Sequence, residues 1–229
     1  MTARGLFVTG TDTGVGKTRV AAALMLRLRA AGLEVAGMKP VAAGCEDLGH
    51  GLRNDDALRL MACASRERPY EEINPYALAP PIAPHIAAAE AGVALDLARL
   101  AAAYRVLAEG ADVVVVEGAG GWLVPLDDRH TLADLAGVLD LDAVLVVGMR
   151  LGCLNHALLT AESIAARGLR LAGWVANCIE PGTERLDAQI DTLRGRLHAP
   201  CLGILPHLPS ATPEESAEAL RPPPEVRPT

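Results

Sequence analysis

A glycine-rich segment at residues 10–18, GTDTGVGKT, constrains the fold of this chain more than any other feature of its sequence. It follows a short apolar run and precedes a helix-period segment, which predicts a turn from a buried strand into a helix. Glycines let the backbone direct N–H groups at an anion there, and the N-terminus of the following helix adds its dipole. Lys17 adds a positive charge, and Thr18 adds a hydroxyl suited to a hard cation. The segment therefore predicts a P-loop that binds the phosphates of ATP together with Mg²⁺.

The loop departs from the common P-loop spacing. Five residues separate Gly10 from Gly16, one more than in the common G-x-x-x-x-G-K pattern. Partition and septum-placement ATPases carry a second lysine at the start of the loop, where this chain has Thr11 and Asp12. This difference disfavours an ATP-driven switch protein. For the loop taken alone, a plain glycine-rich turn between strand and helix remains the alternative.

Apolar runs of strand length alternate with helix-period segments along the rest of the chain, which is typical of a parallel sheet covered by helices. We predict strands over 6–9, 35–38, 112–117, 143–147, 171–176 and 201–205, and helices over 17–31, 56–63, 95–109, 132–139, 155–167 and 184–197. The proline-rich stretch 67–84 lacks a clear period, and we expect a functional loop or short-helix insertion there. The fold class is therefore α/β, with a single P-loop domain over 1–220 whose mostly parallel β-sheet is flanked by helices. We expect the Pro-rich tail over 221–229 to be disordered.

The composition of the chain disfavours several functional classes. A net charge of −7 without a Lys/Arg block argues against a nucleic-acid surface. We expect no membrane span, because no apolar run reaches about 20 residues, and no signal peptide, because no basic stretch precedes an apolar one. The five cysteines are scattered without a C-x-x-C pair, and neither they nor the six histidines have zinc-site spacing. We therefore expect a cytoplasmic protein with reduced thiols.

Charged residues stand at the ends of two predicted strands. Lys39 follows the second strand, and Glu117 ends the β-branched run DVVVVE. Ligands of open α/β sheets gather beyond the carboxyl ends of the strands, so we expect both side chains near the phosphates. There Lys39 would stabilise charge during phosphoryl transfer and Glu117 would bind the metal, although each alone is compatible with a solvated position. Asp55 and Asp56 precede a helix, and sequence position does not decide which caps it and which faces the metal.

Together these motifs resemble the dethiobiotin synthetase family, whose members use ATP to close the ureido ring on the route to biotin. The matching stretches, in chain order, are GTDTGVGKT, GMKPVAAG, GLRNDDAL, NPYALAPPIAPH, VVEGAGGWLVPL, LGCLNHALLT, LAGWVANCI and GILPHLP. They extend over nearly the whole chain, up to about residue 209. The resemblance implies a ligase that converts 7,8-diaminopelargonate, CO₂ and ATP into dethiobiotin, ADP and phosphate, with Mg²⁺ as cofactor.

The resemblance also implies the site residues. It assigns catalytic roles to Lys39 and Lys17, and metal binding to Thr18, Asp56 and Glu117, which favours Asp56 over Asp55. The nucleotide-binding positions that it implies are Gly14, Val15, Gly16, Lys17, Thr18, Arg19, Asp56, Glu117, Gly118, Ala119, Gly120, Asn177, Cys178, Pro206, His207, Leu208 and Glu214. Within that set, Asn177 and residues 206–208 match the adenine-recognising positions, and Glu214 matches with a spacing one residue longer. The substrate-binding positions are Thr13, Lys39, Ala43, Leu151, Gly152, Cys153, Leu154 and Asn155.

The LGCLN segment implies a homodimer, because in this family that helix start receives the substrate carboxylate of a neighbouring subunit. A helix N-terminus has free N–H groups for a carboxylate, and ordinary capping is the alternative for Asn155. Two positions depart from the family pattern. Ala43 replaces the usual Ser or Thr, and Gly14 replaces an acid found in some relatives.

Two other functions are compatible with a P-loop. A cobyrinate-type synthase would carry an additional amidotransferase domain, for which we expect no room in 229 residues. A non-catalytic ATP switch that recruits partners would hydrolyse ATP without the diamine. Ring closure that depends on both diamine and bicarbonate distinguishes the synthetase from the switch.

Overall fold

The structure, a computed structural model, describes residues 3–226 and contains ten strands and nine α-helices within that range. The strands are β1 (Arg4–Gly10), β2 (Val35–Met38), β3 (Val41–Ala43), β4 (Glu46–Asp47), β5 (Leu52–Arg53), β6 (Tyr76–Leu78), β7 (Val113–Glu117), β8 (Asp142–Gly148), β9 (Leu171–Asn177) and β10 (Cys201–Leu205). The helices are α1 (Lys17–Ala30), α2 (Asp55–Cys63), α3 (Tyr70–Ile73), α4 (Pro84–Glu90), α5 (Leu97–Ala108), α6 (Leu132–Val138), α7 (Cys153–Ala166), α8 (Leu186–Arg196) and α9 (Pro213–Glu218).

Six strands form a parallel central sheet in the order β10-β9-β8-β1-β7-β2. Alternate residues of β1 enter different hydrophobic cores: Phe7 packs with Leu100 of α5, whereas Leu6 and Val8 pack with Leu24 of α1. Both faces of the sheet are therefore buried by helices, which explains why its strands read as continuous apolar runs. The predicted α/β class, with a mostly parallel sheet flanked by helices, is confirmed.

The strand order places a ligand crevice beside β1. The connection that leaves β1 runs toward β2, on the β7 side, whereas the connection that leaves β7 runs to β8, on the other side of β1. A crevice opens at such a switch point, beyond the carboxyl ends of the strands. The residues after β1 turn into α1 through Gly16, which has a φ of 90°. A Cβ on Gly16 would lie 2.1 Å from Asn177 Nδ2, so the position requires glycine for its backbone conformation and for its close packing.

All six predicted strands and all six predicted helices are present, with ends within two residues of the prediction. The elements that the sequence did not indicate are short. Strand pairs β3–β6 and β4–β5 form small separate sheets, and α3, α4 and α9 are at most seven residues long. The stretch 67–84 contains α3 and β6, in keeping with the expected short-helix insertion.

Part of the tail differs from the expected disorder. Residues 224–226 form a 3₁₀ helix, Val226 is buried in the core, and Glu225 forms an ion pair with Arg170 at 2.6 Å. The side chain of Val226 packs into the core and holds this segment in place, which the proline content of the tail did not indicate. Residues 227–229 lie outside the described range.

Among residues 3–226, no helix combines the length and the apolar character needed to cross a membrane. All five cysteines, which lie within that range, are free thiols.

Candidate active site

The P-loop lysine is folded back over its own loop. Lys17 begins α1, is 7% exposed, and donates a hydrogen bond from Nζ to the backbone oxygen of Asp12 at 2.9 Å. The Asp12 carboxylate is in turn held by Arg150 at 2.5 Å. Burial lowers the pKa of Lys17 to about 8, and the nearby positive charge of Lys39 acts in the same direction. Within residues 3–226, Lys17 forms no ion pair with a carboxylate, and its charge is therefore suited to an incoming phosphate.

A buried ion cluster lies beside the loop. Lys39 Nζ is 2.5 Å from Glu117 Oε1 and 2.7 Å from Asp56 Oδ2. The hydroxyl oxygen of Thr18 lies 2.7 Å from Asp56 Oδ1 and 2.8 Å from Glu117 Oε1, and its single proton serves one carboxylate at a time. The start of α1, the end of β2, the start of α2 and the end of β7 therefore bring together Thr18, Lys39, Asp56 and Glu117. Asp56 is the aspartate that the family resemblance favoured.

The charges of the cluster are unevenly balanced. Burial by itself lowers the pKa of Lys39, but attraction to Glu117 and Asp56 outweighs it, so the pKa is raised. For Asp56, burial raises the pKa, but Lys39, Thr18 and Lys17 together outweigh it, so the pKa is lowered. Burial raises the pKa of the fully buried Glu117, and Lys39 offsets only part of that increase. One ammonium group is thus shared by two carboxylates, which leaves capacity for a second cation.

The oxygen atoms of the cluster fit a magnesium ion. Glu117 Oε2 is buried and has no hydrogen-bond partner in the described part of the chain. Within residues 3–226, no three Asp, Glu, His or Cys side chains form a metal cluster. Mg²⁺ is usually bound by only one or two carboxylates, with water and substrate phosphates completing its shell. Asp56, Glu117 and Thr18 provide two carboxylates and a hydroxyl of the required hard-oxygen type.

A hydrogen-bonded network ties the backbone of Lys39 to the start of α2. Asn74 Nδ2 donates to the Lys39 backbone oxygen at 2.7 Å, and Asn74 Oδ1 accepts from the Tyr70 hydroxyl at 2.8 Å. The Tyr70 oxygen accepts from the backbone N–H of Asn54, whose side chain caps α2 by accepting from the N–H of Asp56. The network therefore fixes the two segments that carry Lys39 and Asp56 relative to each other.

A cleft of about 800 Å³ opens over the cluster. Its walls come from the P-loop, the segment after β2, the start of α2, residues 81–84 and the loop after β7. The predicted site residues that line it are Thr13, Gly14, Gly16, Lys17, Thr18, Arg19, Lys39, Ala43, Asp56, Glu117, Ala119 and Gly120. Val15 and Gly118 flank these positions without lining the cleft in the described structure.

The predicted base-recognising residues form a second group on the side of β9 and β10. Asn177 ends β9 and is 3% exposed, and its Nδ2 donates to the Val15 backbone oxygen at 2.8 Å. Arg19 Nη1 donates to Asn177 Oδ1 at 3.2 Å and to the Pro206 backbone oxygen at 3.0 Å. Cys178 is buried beside them, Leu208 is 51% exposed, and His207 is partly exposed. Glu214 is an exposed residue of α9, and its side chain forms no hydrogen bond or ion pair with this group in the described structure.

The predicted substrate segment 151–155 is separate from the cleft within one chain. Leu151 is 98% exposed, Gly152 is the N-cap of α7 with a φ of 93°, and α7 begins at Cys153 rather than at the predicted residue 155. A smaller groove of about 250 Å³ lies along α7. Its lining residues are Gly10, Thr11, Trp122, Leu123, His156, Leu159, Thr160 and Ser163.

Several residues of the site escaped prediction. The network of Tyr70 and Asn74 gave no local signal, because it depends on contacts between distant segments. Ser216 is 1% exposed and accepts a hydrogen bond from Arg19. Its helix begins with a capping box at Thr212 and Glu215 and has Pro213 in its first turn, a sequence pattern that marks a helix start.

The chain is similar to known proteins over nearly its whole length. Residues 4–215 match a family described as an AAA domain, AAA_26. The ATP-dependent dethiobiotin synthetase of Pseudomonas aeruginosa is 58% identical over 215 residues, which cover 93% of this chain and 94% of that protein. The enzyme of the same name from Aromatoleum aromaticum is 53% identical over 218 residues, covering 95% and 97%. A solved structure, the MinD cell division protein of Aquifex aeolicus, has a TM-score of 0.57 at 16% identity and covers 96% of this chain and 88% of that one, a similarity of fold alone.

Proposed function

The chain belongs to the family of ATP-dependent dethiobiotin synthetases and makes dethiobiotin in biotin biosynthesis, and we propose that the reaction takes place in the cleft above Lys39. The observation that carries the proposal is the convergence of Lys17, Thr18, Lys39, Asp56 and Glu117 at the carboxyl end of the sheet. The enzyme works in the cytoplasm, in keeping with its free thiols.

The P-loop binds the triphosphate of ATP. Backbone N–H groups of residues 14–18 surround the phosphate oxygens, and Lys17 exchanges its contact with the Asp12 backbone oxygen for the γ-phosphate. Thr18, Asp56 and Glu117 hold Mg²⁺. When bound, this ion neutralises charge on the phosphate oxygens. Asn177, Cys178 and residues 206–208 surround the base, and Glu214 approaches it from α9 when the nucleotide binds.

The diamine substrate lies beside the triphosphate and contacts Thr13, Lys39 and the segment at Ala43. One amine of 7,8-diaminopelargonate takes up CO₂ as a carbamate, and a carbamate oxygen then attacks the γ-phosphorus, which releases ADP. The second amine attacks the carbon of the resulting carbamic–phosphoric anhydride, closes the ring and releases phosphate.

Charge stabilisation and positioning are the contributions of the protein to this reaction. Lys17 and Lys39 stabilise the negative charge that develops as the phosphoryl group moves, and no side-chain nucleophile is required. The network through Asn74 and Tyr70 holds Lys39 in place relative to Asp56. Ala43 lacks the hydroxyl that is usual at its position, so one contact to the diamine or carbamate is missing.

The functional unit is a homodimer in which residues 151–155 of one protomer reach the cleft of the other. Three exposed leucines support this arrangement: Leu123 is 50%, Leu151 is 98% and Leu159 is 56% exposed in the single chain. The free N–H groups at the start of α7 then bind the carboxylate of the diamine substrate.

Mass spectrometry of a reaction with Mg·ATP, bicarbonate and 7,8-diaminopelargonate tests the proposed chemistry. We expect one ADP per dethiobiotin, with neither product when the diamine is left out. ATP hydrolysis that proceeds at the same rate without the diamine would instead indicate a switch. The Lys39→Ala variant tests the site, because full turnover in that variant would remove the proposed role of Lys39.

A further inference from the structure

The guanidinium of Arg19 joins three segments that are far apart in the sequence. Its Nε donates to Ser216 Oγ on α9 at 2.9 Å. Its Nη1 donates to the Pro206 backbone oxygen at 3.0 Å and to Asn177 Oδ1 at 3.2 Å. Because Arg19 lies on α1 directly after Lys17 and Thr18, it connects the phosphate-binding helix to the ends of β9 and β10.

Arg19 and the P-loop together fix the orientation of the Asn177 amide. Val15 presents a carbonyl oxygen at 2.8 Å, which has no hydrogen to donate, so the amide atom that faces it must be nitrogen. A guanidinium has no lone pair to offer, so the atom that faces Arg19 must be oxygen. Rotating the amide by half a turn would break both contacts, and Asn177 has only one favourable orientation.

An amide that cannot turn distinguishes one purine from another. After these two contacts, Asn177 retains one N–H of Nδ2 and one lone pair of Oδ1. Adenine presents an amine donor and a ring-nitrogen acceptor on one edge, which matches such an amide. Guanine presents two acceptors on the same edge, and one of them would face the amide oxygen.

We propose that Arg19 is a positioning residue for the nucleotide base, which sets the preference for ATP over GTP. It holds the Asn177 amide with its oxygen toward the amine of adenine, and it anchors α9 to α1 through Ser216. The proposal rests on the base site proposed above. Arg19 acts through Asn177 and not on the phosphates.

The test compares ATP, GTP and inorganic tripolyphosphate as ligands of the full chain, with dissociation constants measured by calorimetry in the presence of Mg²⁺. Tripolyphosphate carries the phosphates without a base. In the Arg19→Ala variant we expect ATP binding to weaken roughly tenfold, as for a lost hydrogen bond to a charged group. Tripolyphosphate should bind as it does to the original chain, and the ATP-to-GTP preference should fall.

Steady-state kinetics separate positioning from chemistry. In Arg19→Ala the KM for ATP should rise while kcat at saturating ATP stays close to its original value. Ser216→Ala removes only the anchor of α9, and it should weaken ATP binding less without altering the ATP-to-GTP preference. Arg27→Ala, which removes an exposed arginine of the same helix, is the matched control. It should change neither ATP binding nor the ATP-to-GTP preference.

Three results would overturn the proposal. Equal weakening of ATP and tripolyphosphate would mean that Arg19 acts on the phosphates. If Arg19→Ala binds ATP as well as Arg27→Ala does, while Asn177→Ala binds ATP poorly, then the base site is where we propose it but Arg19 does not position it. If neither Arg19→Ala nor Asn177→Ala affects ATP binding in a chain that still makes dethiobiotin, the base site itself lies elsewhere. Arg19→Lys keeps the charge without the forked donors and replaces Arg19→Ala if that variant does not fold.

Discussion

The ammonium group of Lys39 lies between the two carboxylates that we propose for Mg²⁺. Lys39→Ala leaves the buried Glu117 carboxylate without its cation, which costs about 3–5 kcal/mol when a buried pair loses one partner. We therefore expect a lower melting temperature without divalent ions and a larger rise on adding Mg²⁺ than in the original chain. Differential scanning fluorimetry with and without Mg²⁺ measures both effects.

The double variant Lys39→Ala/Glu117→Gln provides the control for that prediction. It removes the uncompensated charge together with the ammonium, so its stability without metal should recover and its response to Mg²⁺ should shrink. An equal Mg²⁺ response in the original chain and in Lys39→Ala would show that the ion does not bind at these carboxylates.

Ala43 lies on the wall of the cleft where the family usually has a hydroxyl side chain. Ala43→Ser restores one hydrogen bond to the diamine or its carbamate, worth about 1 kcal/mol. We expect the KM for 7,8-diaminopelargonate to fall about fivefold, with the KM for ATP unchanged. Initial rates over a range of diamine concentrations test this, and an unchanged diamine KM would place the substrate away from residue 43.

At the scale of elements, the link between β2 and α2 depends on the hydroxyl of Tyr70. Tyr70→Phe removes that hydroxyl and keeps the ring, so Asn74 loses a donor in a buried position. We expect the free energy of unfolding to fall by about 1–3 kcal/mol and kcat to fall more than the KM for ATP changes. Urea denaturation and steady-state rates measure the two effects. Tyr104→Phe, at a buried tyrosine of α5, is the control and should leave kcat unchanged.

The elements that the sequence predicted are the strands of the central sheet and most of the helices. β7 and β8 could be identified because strands covered on both faces must be apolar throughout. The pair β3–β6 escaped prediction, because its strands are only three residues long and β3 lines a cleft. Helix α4 also escaped, since alanines dominate it and leave no distinct polar face.

The contacts of the site also fall into those that could be predicted from the sequence and those that could not. Lys39 and Glu117 could be predicted to meet, because the carboxyl ends of parallel strands lie at one edge of a sheet. The choice of Asp56 over Asp55 required the family resemblance, and the structure orients Asp56 toward Lys39. The contacts of Arg19 with Ser216 and Pro206 could not be predicted, since they depend on how three distant segments pack.

For the whole molecule, the proposed dimer depends on the exposed leucines beside α7. Leu151→Asp/Leu159→Asp places two charges on that surface, where burial of an unpaired charge is costly. We expect a monomer by light scattering, and loss of dethiobiotin formation with Mg·ATP binding retained, because the P-loop lies within one chain. Leu48→Asp alters another exposed leucine, on the β4–β5 turn, and serves as the control. A double variant that still assembles as a dimer would place the interface elsewhere.

The position of β1 at the centre of the sheet has a consequence for synthesis on the ribosome. β1 is made before both of its neighbours, β7 and β8, which come from Val113 onward. Until β7 emerges, the apolar residues of β1 and α1 have no neighbouring strand to cover them, and until β8 emerges one edge of β1 stays unpaired. Such contacts between distant segments form late, and uncovered strands are prone to aggregation. We therefore expect nascent chains that end before Gly148 to remain unfolded and bound to chaperones, and nucleotide to bind only after β8 has joined the sheet.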